Sequence, residues 1–160
     1  MTAQLPELLI FEGLEHAMCS DPLDVYFARG GTRPDFRHSS TACWRGYVGT
    51  WEVIEGRLYL IALTGRLNGG EQATIETVFP GYRERVFAHW VTGTVRLPQG
   101  KLLEYVHLGY ASTYERDLLL QFRRGELIGR FVKENGRAKA NAPVGYGIAA
   151  STTLGNSDVG

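Results

Sequence analysis

The sequence predicts an α+β fold dominated by an antiparallel β meander, with about seven strands in a curved sheet or partly closed barrel and two short helices. Apolar and polar residues alternate with a period of two over long stretches, and turns that contain Gly separate these stretches. Only two short segments have apolar residues at helical spacing. A composition of 44% hydrophobic and 11% aromatic residues is sufficient for one core in a chain of 160 residues.

The chain divides into a folded region and a tail. We expect one β-rich domain over residues 1–134 and a C-terminal tail over residues 135–160. The tail is rich in Gly, Ala and Ser and holds few large apolar residues, which is typical of a flexible segment. If the tail is ordered, then the domain, a second subunit or a partner must hold it.

The N-terminal region predicts one strand and one helix. Residues 8–19 form the predicted strand, with a bend at Gly13. Ser20-Asp21-Pro22 is a typical helix start, because Ser or Asp caps the first turn and Pro fits inside it. The short helix ends at Gly30-Gly31, and a polar loop follows.

The most prominent pattern lies in residues 41–67, where two aromatic-rich strands flank a Glu55-Gly56 turn. Gly supplies the positive φ angle that a tight hairpin turn requires. Residues 71–79 then have apolar side chains at helical spacing and predict the second helix, which Pro80 ends.

Three turns share one sequence pattern and indicate the meander. In each turn, Gly follows the first residue, and a charged residue and Leu follow Gly. After a strand over residues 91–97, Pro98-Gln99-Gly100 predicts a turn into a strand over residues 101–110. A further hairpin joins residues 117–123 to residues 126–133. The three turns are EGRL at 55–58, QGKL at 99–102 and RGEL at 124–127.

Charge and composition disfavour several function classes. The net charge is zero, which argues against a general nucleic-acid or membrane binder. Residues 1–80 hold ten acidic and six basic residues, whereas residues 81–160 hold seven and eleven. No stretch approaches the ~20 apolar residues that span a bilayer. The first 20 residues contain no Lys or Arg, whereas a signal peptide begins with basic residues. We therefore expect a cytoplasmic protein.

No set of residues predicts catalysis or a cofactor. Cys19 and Cys43 lack a metal-ligand spacing, and we interpret both as buried thiols of a cytoplasmic protein. The four histidines add no recognisable metal spacing. A G-x-S-x-G nucleophile motif and a phosphate loop with a lysine are both missing. We expect no catalytic residue, no metal and no cofactor.

The leading hypothesis is a non-enzymatic module that binds a partner protein, as immunity proteins and small inhibitors do. Trp90 has the opposite strand parity from the core-facing Val91, so we expect it to be exposed, and an exposed Trp is a good interface anchor. The other candidate contacts are Trp44 and Arg45 at the entrance of the central hairpin, and Arg96. Trp44 could instead lie in the core. Instead of a different protein, the partner could be a second copy of this chain in a homo-oligomer.

A small enzyme or ligand-binding barrel is the second hypothesis. Its pocket would contain His89, Glu104 or His107, with Tyr105 or Tyr110 at the mouth. Residues three apart on a strand lie on opposite faces, so Glu104 and His107 should not meet. We expect Glu104 to be half-buried in an ion pair with an Arg, with a catalytic acid as the alternative. Single-stranded nucleic-acid binding through strand aromatics is a third hypothesis, which the net charge disfavours.

Two sequence blocks resemble small bacterial proteins. The blocks are WRGYVGTWEV at residues 44–53 and FAHWVTGTVRLPQGKLLEYVHLGYASTYE at residues 87–115, and together they cover roughly a quarter of the chain. The group is uncharacterised, so the resemblance implies an origin in a bacterium or a bacterial mobile element. It implies no activity, ligand or site residue.

Overall fold

The computed structural model describes residues 3–38 and 40–143, which form one mixed β-sheet with two short helices. The predicted tail is described only as far as residue 143, so the rest of it lies outside the described residues. The strands are β1 (Glu7–Phe11), β2 (Leu14–Met18), β3 (Tyr47–Ile54), β4 (Arg57–Gly65), β5 (Val86–Phe87), β6 (Gly93–Glu104), β7 (Thr113–Arg123) and β8 (Glu126–Glu134). The helices are α1 (Pro22–Ala28) and α2 (Ile75–Val78).

The strand order in this sheet is β2-β1-β3-β4-β8-β7-β6, and β5 pairs with β4 beside this path. All pairings between these strands are antiparallel except that of β1 with β3, which is parallel. The edge strands approach one another where the Cys19 N–H donates to the Arg96 carbonyl at 2.9 Å. The sheet nevertheless stays open, so the β-rich prediction with two helices is confirmed, whereas the sheet is mixed and unclosed.

Two-residue turns with both φ angles positive close three hairpins. This is the type I′ geometry, which matches the right-handed twist of the flanking strands. It confirms the two predicted hairpins at residues 55–56 and 124–125. The φ angles are 52° and 79° at Glu12-Gly13, 50° and 77° at Glu55-Gly56, and 49° and 81° at Arg124-Gly125.

The predicted single strand over residues 8–19 is wrong, because Glu12-Gly13 reverses the chain. β1 and β2 pair antiparallel, with Leu9 opposite His16. A Gly inside an apolar run was compatible with a bend or a turn. The structure has the turn, and β1 thereby becomes free to pair with β3 on its other side.

The predicted turn at Pro98-Gln99-Gly100 is also wrong, because these residues continue β6. Pro98 lies opposite Asp117 on β7, and the register shifts between Gln99 and Leu102. A Pro is tolerated here because β6 is an edge strand, so its missing N–H removes no bond to a further strand. The second predicted helix is shorter than expected, since α2 spans only four residues.

The core lies between the inner face of the sheet and α1. Its fully buried side chains come from both halves of the sheet and from the helix, and Trp51 is the largest of them. No helix among the described residues is long and apolar enough to cross a membrane. The fully buried apolar residues include Leu9, Met18, Leu23, Trp51, Leu58, Leu60, Leu97 and Leu120.

β4 and β8 diverge where β5 pairs with β4. β8 pairs with β4 only through Glu126 opposite Arg57, next to the two hairpin turns. Beyond this point β5 occupies the edge of β4, with Phe87 opposite Tyr59. The rest of β8 therefore leaves the β4 edge soon after the turn.

Candidate functional site

A fully buried carboxylate, Glu7 on β1, is the centre of the main polar cluster. Its Oε2 accepts hydrogen bonds from Arg45 Nη2 at 2.8 Å, from Arg45 Nε at 3.3 Å and from the Gly49 N–H at 2.6 Å. Its Oε1 accepts from Trp51 Nε1 at 3.1 Å. All these partners are donors, as an ionised carboxylate requires.

Burial raises the pKa of Glu7 to about 7, and the Arg45 charge and the hydrogen bonds oppose this shift only in part. Burial alone would lower the pKa of Arg45, but the Glu7 carboxylate reverses that effect and raises it above its ordinary value. The pair therefore holds opposite charges above neutral pH in a site that solvent does not reach.

Two tyrosine–aspartate contacts extend this cluster. Tyr110 donates its hydroxyl to Asp21, which lies 3.6 Å from Arg45 Nε, and Tyr47 donates to Asp24. Burial raises the pKa values of Asp21, Tyr47 and Tyr110. The contacts join β1, the start of α1, β3 and the loop after β6, so we interpret the cluster as a structural element that fixes their relative positions.

The predicted partner-binding surface does not assemble. Trp90 is only 6% exposed, and its Nε1 donates to the Pro22 carbonyl at 2.8 Å. The expectation that Trp90 is exposed is therefore wrong, because β6 begins only at Gly93 and strand parity does not apply before it. Arg45 is buried beside Glu7, which removes it from any surface contact.

Arg96 and Trp44, the other two candidates, lie in different settings. The Arg96 guanidinium contacts Asp117 Oδ1 at 3.3 Å and the Tyr110 carbonyl, so it holds the loop between β6 and β7. Trp44 is 44% exposed and remains accessible. Of the four residues, only Trp44 presents a large apolar surface to solvent.

The alternative pocket around His89, Glu104 and His107 does not assemble either. His89 precedes β6, whereas Glu104 ends this twelve-residue strand and His107 follows it. Glu104 is exposed, so its predicted half-buried ion pair is wrong. Tyr110 belongs to the Asp21 contact, and His107 packs its ring edge against Tyr105. His89 lines a cavity near the C-terminal end of α1.

The most exposed apolar strand is β8. Ile128, Phe131 and Val132 are 54%, 48% and 53% exposed. On the β7 side β8 is paired through Glu134, but on the other side no described strand pairs with residues 128–134. A long strand edge with exposed apolar side chains presents unpaired N–H and C=O groups together with apolar surface.

Metal and thiol sites add no candidate. Within residues 3–38 and 40–143, no group of three His, Cys, Asp or Glu side chains is arranged to hold a metal ion. Cys19 and Cys43 form no disulfide with each other, and Cys43 is buried as predicted, whereas Cys19 is half-buried.

No protein-family model matches the chain, and neither a curated protein nor a solved structure matches it. The functional argument therefore depends on geometry. Sequence reasoning missed Glu7 and the free edge of β8. The run LIGRFVK was visible in the sequence, but only the tertiary pairing leaves one of its edges without a neighbour.

Proposed function

We propose that the protein is a non-enzymatic binding module that takes up an extended segment of another protein chain along the free edge of β8. The observation that carries this proposal is the coincidence, in residues 128–134, of an unpaired strand edge and exposed apolar side chains. Strand addition uses both features, because main-chain hydrogen bonds supply affinity and side-chain contacts supply specificity.

The edge has apolar groups on both faces of the sheet. Phe131 and Val132 are consecutive strand residues, so their side chains leave the strand in opposite directions. An incoming strand would therefore meet apolar surface above and below its own backbone. Lys133 and Glu134 at the end of β8 offer one charge of each sign, which favours a defined register over general adhesion.

The finer form of the proposal is an inhibitor or immunity-type role, in which strand pairing blocks a partner protein. A second copy of this chain is the other possible occupant, since an exposed strand edge can pair with itself about a two-fold axis. Both occupants use the same edge, so one set of variants tests both.

We expect Val132→Lys to abolish partner binding or self-association, because a charge on the apolar edge must be desolvated when a strand docks. The matched control is Val25→Lys, which changes a valine that is 43% exposed on α1. Sedimentation velocity over a wide concentration range measures self-association. Pull-down from lysate, with the wild type, Val132→Lys and Val25→Lys each used as bait, measures capture of a partner protein.

The proposal requires a dimer, or one stoichiometric captured protein, that Val132→Lys loses and Val25→Lys keeps. If both variants behave as the wild type does, or lose the partner equally, β8 is not the interface. A wild-type protein that is monomeric at every concentration and captures no protein also contradicts the proposal.

A further inference from the structure

A cavity lies at the turn end of the sheet, away from the free part of β8. It has a volume of about 970 Å³, within the range of small-molecule sites. It forms where the C-terminal end of α1, the segment after β5 and the turns of the β3–β4 and β7–β8 hairpins meet. The two turns are joined by backbone bonds of 2.8 Å from Leu58 N–H to the Gly125 carbonyl and from Leu127 N–H to the Gly56 carbonyl.

Three arginines from separate elements line this cavity: Arg29 after α1, Arg57 at the start of β4 and Arg124 in the β7–β8 turn. Arg29 uses Nη1 to donate to the Trp90 carbonyl at 3.2 Å, and this contact directs the guanidinium to the cavity wall. Among the described residues, no carboxylate forms an ion pair with Arg29 or Arg124.

The cavity has a surplus of positive charge. Glu126 is its only carboxylate among the described lining residues, and it pairs with Arg57 at 3.6 Å. Arg29 and Arg124 thus leave two positive charges without a counter-charge. Guanidinium groups bind phosphates and carboxylates through paired N–H donors, so this arrangement favours an anionic ligand.

Aromatic side chains form the remaining wall. The Trp90 ring lies 4.9 Å from the Tyr26 ring, and its Nε1 bond to the Pro22 carbonyl fixes its orientation. Phe87 and His89 also line the cavity, and their ring centroids are 6.5 Å apart. The Trp90 ring is almost fully buried, so a planar ligand group would find its ring surface on Tyr26, Phe87 and His89 next to the arginines.

We propose that this cavity binds a small organic anion that carries both a phosphate group and an aromatic ring system, up to the size of a mononucleotide. The arginines would contact the phosphate, and the aromatic wall would contact the ring. The proposal is independent of the β8 interface, because Val132 lies outside the cavity lining.

The test uses the full chain and three probes: adenosine monophosphate, uridine monophosphate and p-nitrophenyl phosphate. Adenosine and inorganic phosphate separate the ring contribution from the phosphate contribution. Isothermal calorimetry measures the Kd of each probe. Intrinsic fluorescence gives a second readout, because Trp90 lies in the cavity wall.

The test variants are Arg29→Gln and Arg124→Asn. Asn suits position 124 because it tolerates the positive φ of 49° found there. The control is Arg83→Gln, which removes a guanidinium that is 82% exposed and lies outside the cavity lining. Far-UV circular dichroism confirms that each variant is folded.

We expect at least one phosphate probe to bind, with adenosine and inorganic phosphate weaker than adenosine monophosphate. Arg29→Gln and Arg124→Asn should each weaken binding about tenfold, and Arg83→Gln should leave it unchanged. The proposal is overturned if none of the three probes binds, or if all three variants bind as tightly as the wild type does. Probe binding in the cavity does not depend on whether Val132→Lys changes association along β8, so the two proposals can fail separately.

Discussion

At the scale of single residues, Glu7 and Arg45 form the energetically critical contact. Both side chains are buried, and their attraction offsets the loss of Glu7 hydration only in part, so removing either partner would leave a buried charge with no counter-charge. Gly49 leaves room for this arrangement, because a Cβ there would lie 2.5 Å from Glu7 Oε1. The position of the Glu7 carboxylate thus requires a residue without a Cβ at position 49.

The raised pKa of Glu7 makes the stability of the protein depend on pH. In the unfolded chain Glu7 ionises near 4.5, whereas in the folded chain it ionises near 7. Between these values the folded state binds more protons, so the contribution of Glu7 to stability is complete below pH 4.5 and is lost as pH rises through 7. The shift corresponds to about 3 kcal/mol.

We expect the difference in free energy of unfolding between the wild type and Glu7→Gln to fall by up to about 3 kcal/mol from pH 5 to pH 8. Urea unfolding at a series of pH values measures this difference. The control Glu76→Gln changes a carboxylate that is partly exposed beside Arg83 and should retain the pH dependence of the wild type. A wild-type-minus-Glu7→Gln difference that stays flat or rises over this range would show that Glu7 keeps an ordinary or lowered pKa.

At the scale of elements, the turns of two hairpins do more than reverse the chain. Gly125 closes the β7–β8 turn and also donates its N–H to the Val91 carbonyl, which attaches the segment after β5. A Cβ on Gly125 would lie 2.6 Å from the Ala88 carbonyl oxygen and 2.8 Å from Phe87 Cε1. Gly56 holds the same turn position with a similar φ, but its Cβ would meet nothing within 4 Å.

We expect Gly125→Ala to destabilise the protein more than Gly56→Ala does. Both variants carry the strain of a positive φ, about 1–2 kcal/mol, but only Gly125→Ala also forces the backbone at Ala88 to move. Thermal or urea unfolding of the two variants side by side measures the difference. Equal destabilisation would mean that the packing of the turn against residues 87 and 88 contributes nothing.

At the scale of the whole molecule, the two halves of the sheet share one core. β1, β3 and β4 supply Leu9, Trp51 and Leu60, whereas β6 and β7 supply Leu97 and Leu120, and all belong to one buried cluster. The direct strand pairing between the halves is short, so this shared core, together with the Glu7 cluster, holds them together.

We therefore expect one cooperative unfolding transition. Far-UV circular dichroism follows the strands of both halves, and tryptophan fluorescence follows Trp51 and Trp90 in the shared core. The two transitions should coincide, as two-state behaviour requires. If fluorescence changed at a lower denaturant concentration than circular dichroism did, the halves would be separate folding units.

Local chemistry determined what could be predicted from the sequence. The hairpins at residues 55–56 and 124–125, the start of α1 at Pro22 and the β-rich class depend on neighbouring residues, because Gly permits a positive φ and Pro fixes φ wherever they occur. The same information gave wrong predictions at Gly13 and Gly100, because the predicted bent strand is a hairpin turn and the predicted turn is part of a bulged edge strand.

Only the tertiary structure decided which groups are buried and which elements adjoin. The contact of Glu7 with Arg45 spans 38 residues, and that of Trp90 with Pro22 spans 68. The parallel pairing of β1 with β3 and the divergence of β8 from β4 have no local signal either. Burial of a side chain depends on what the rest of the chain places over it, so Trp90 and Arg45 lie in the interior, and β8 has the exposed apolar edge.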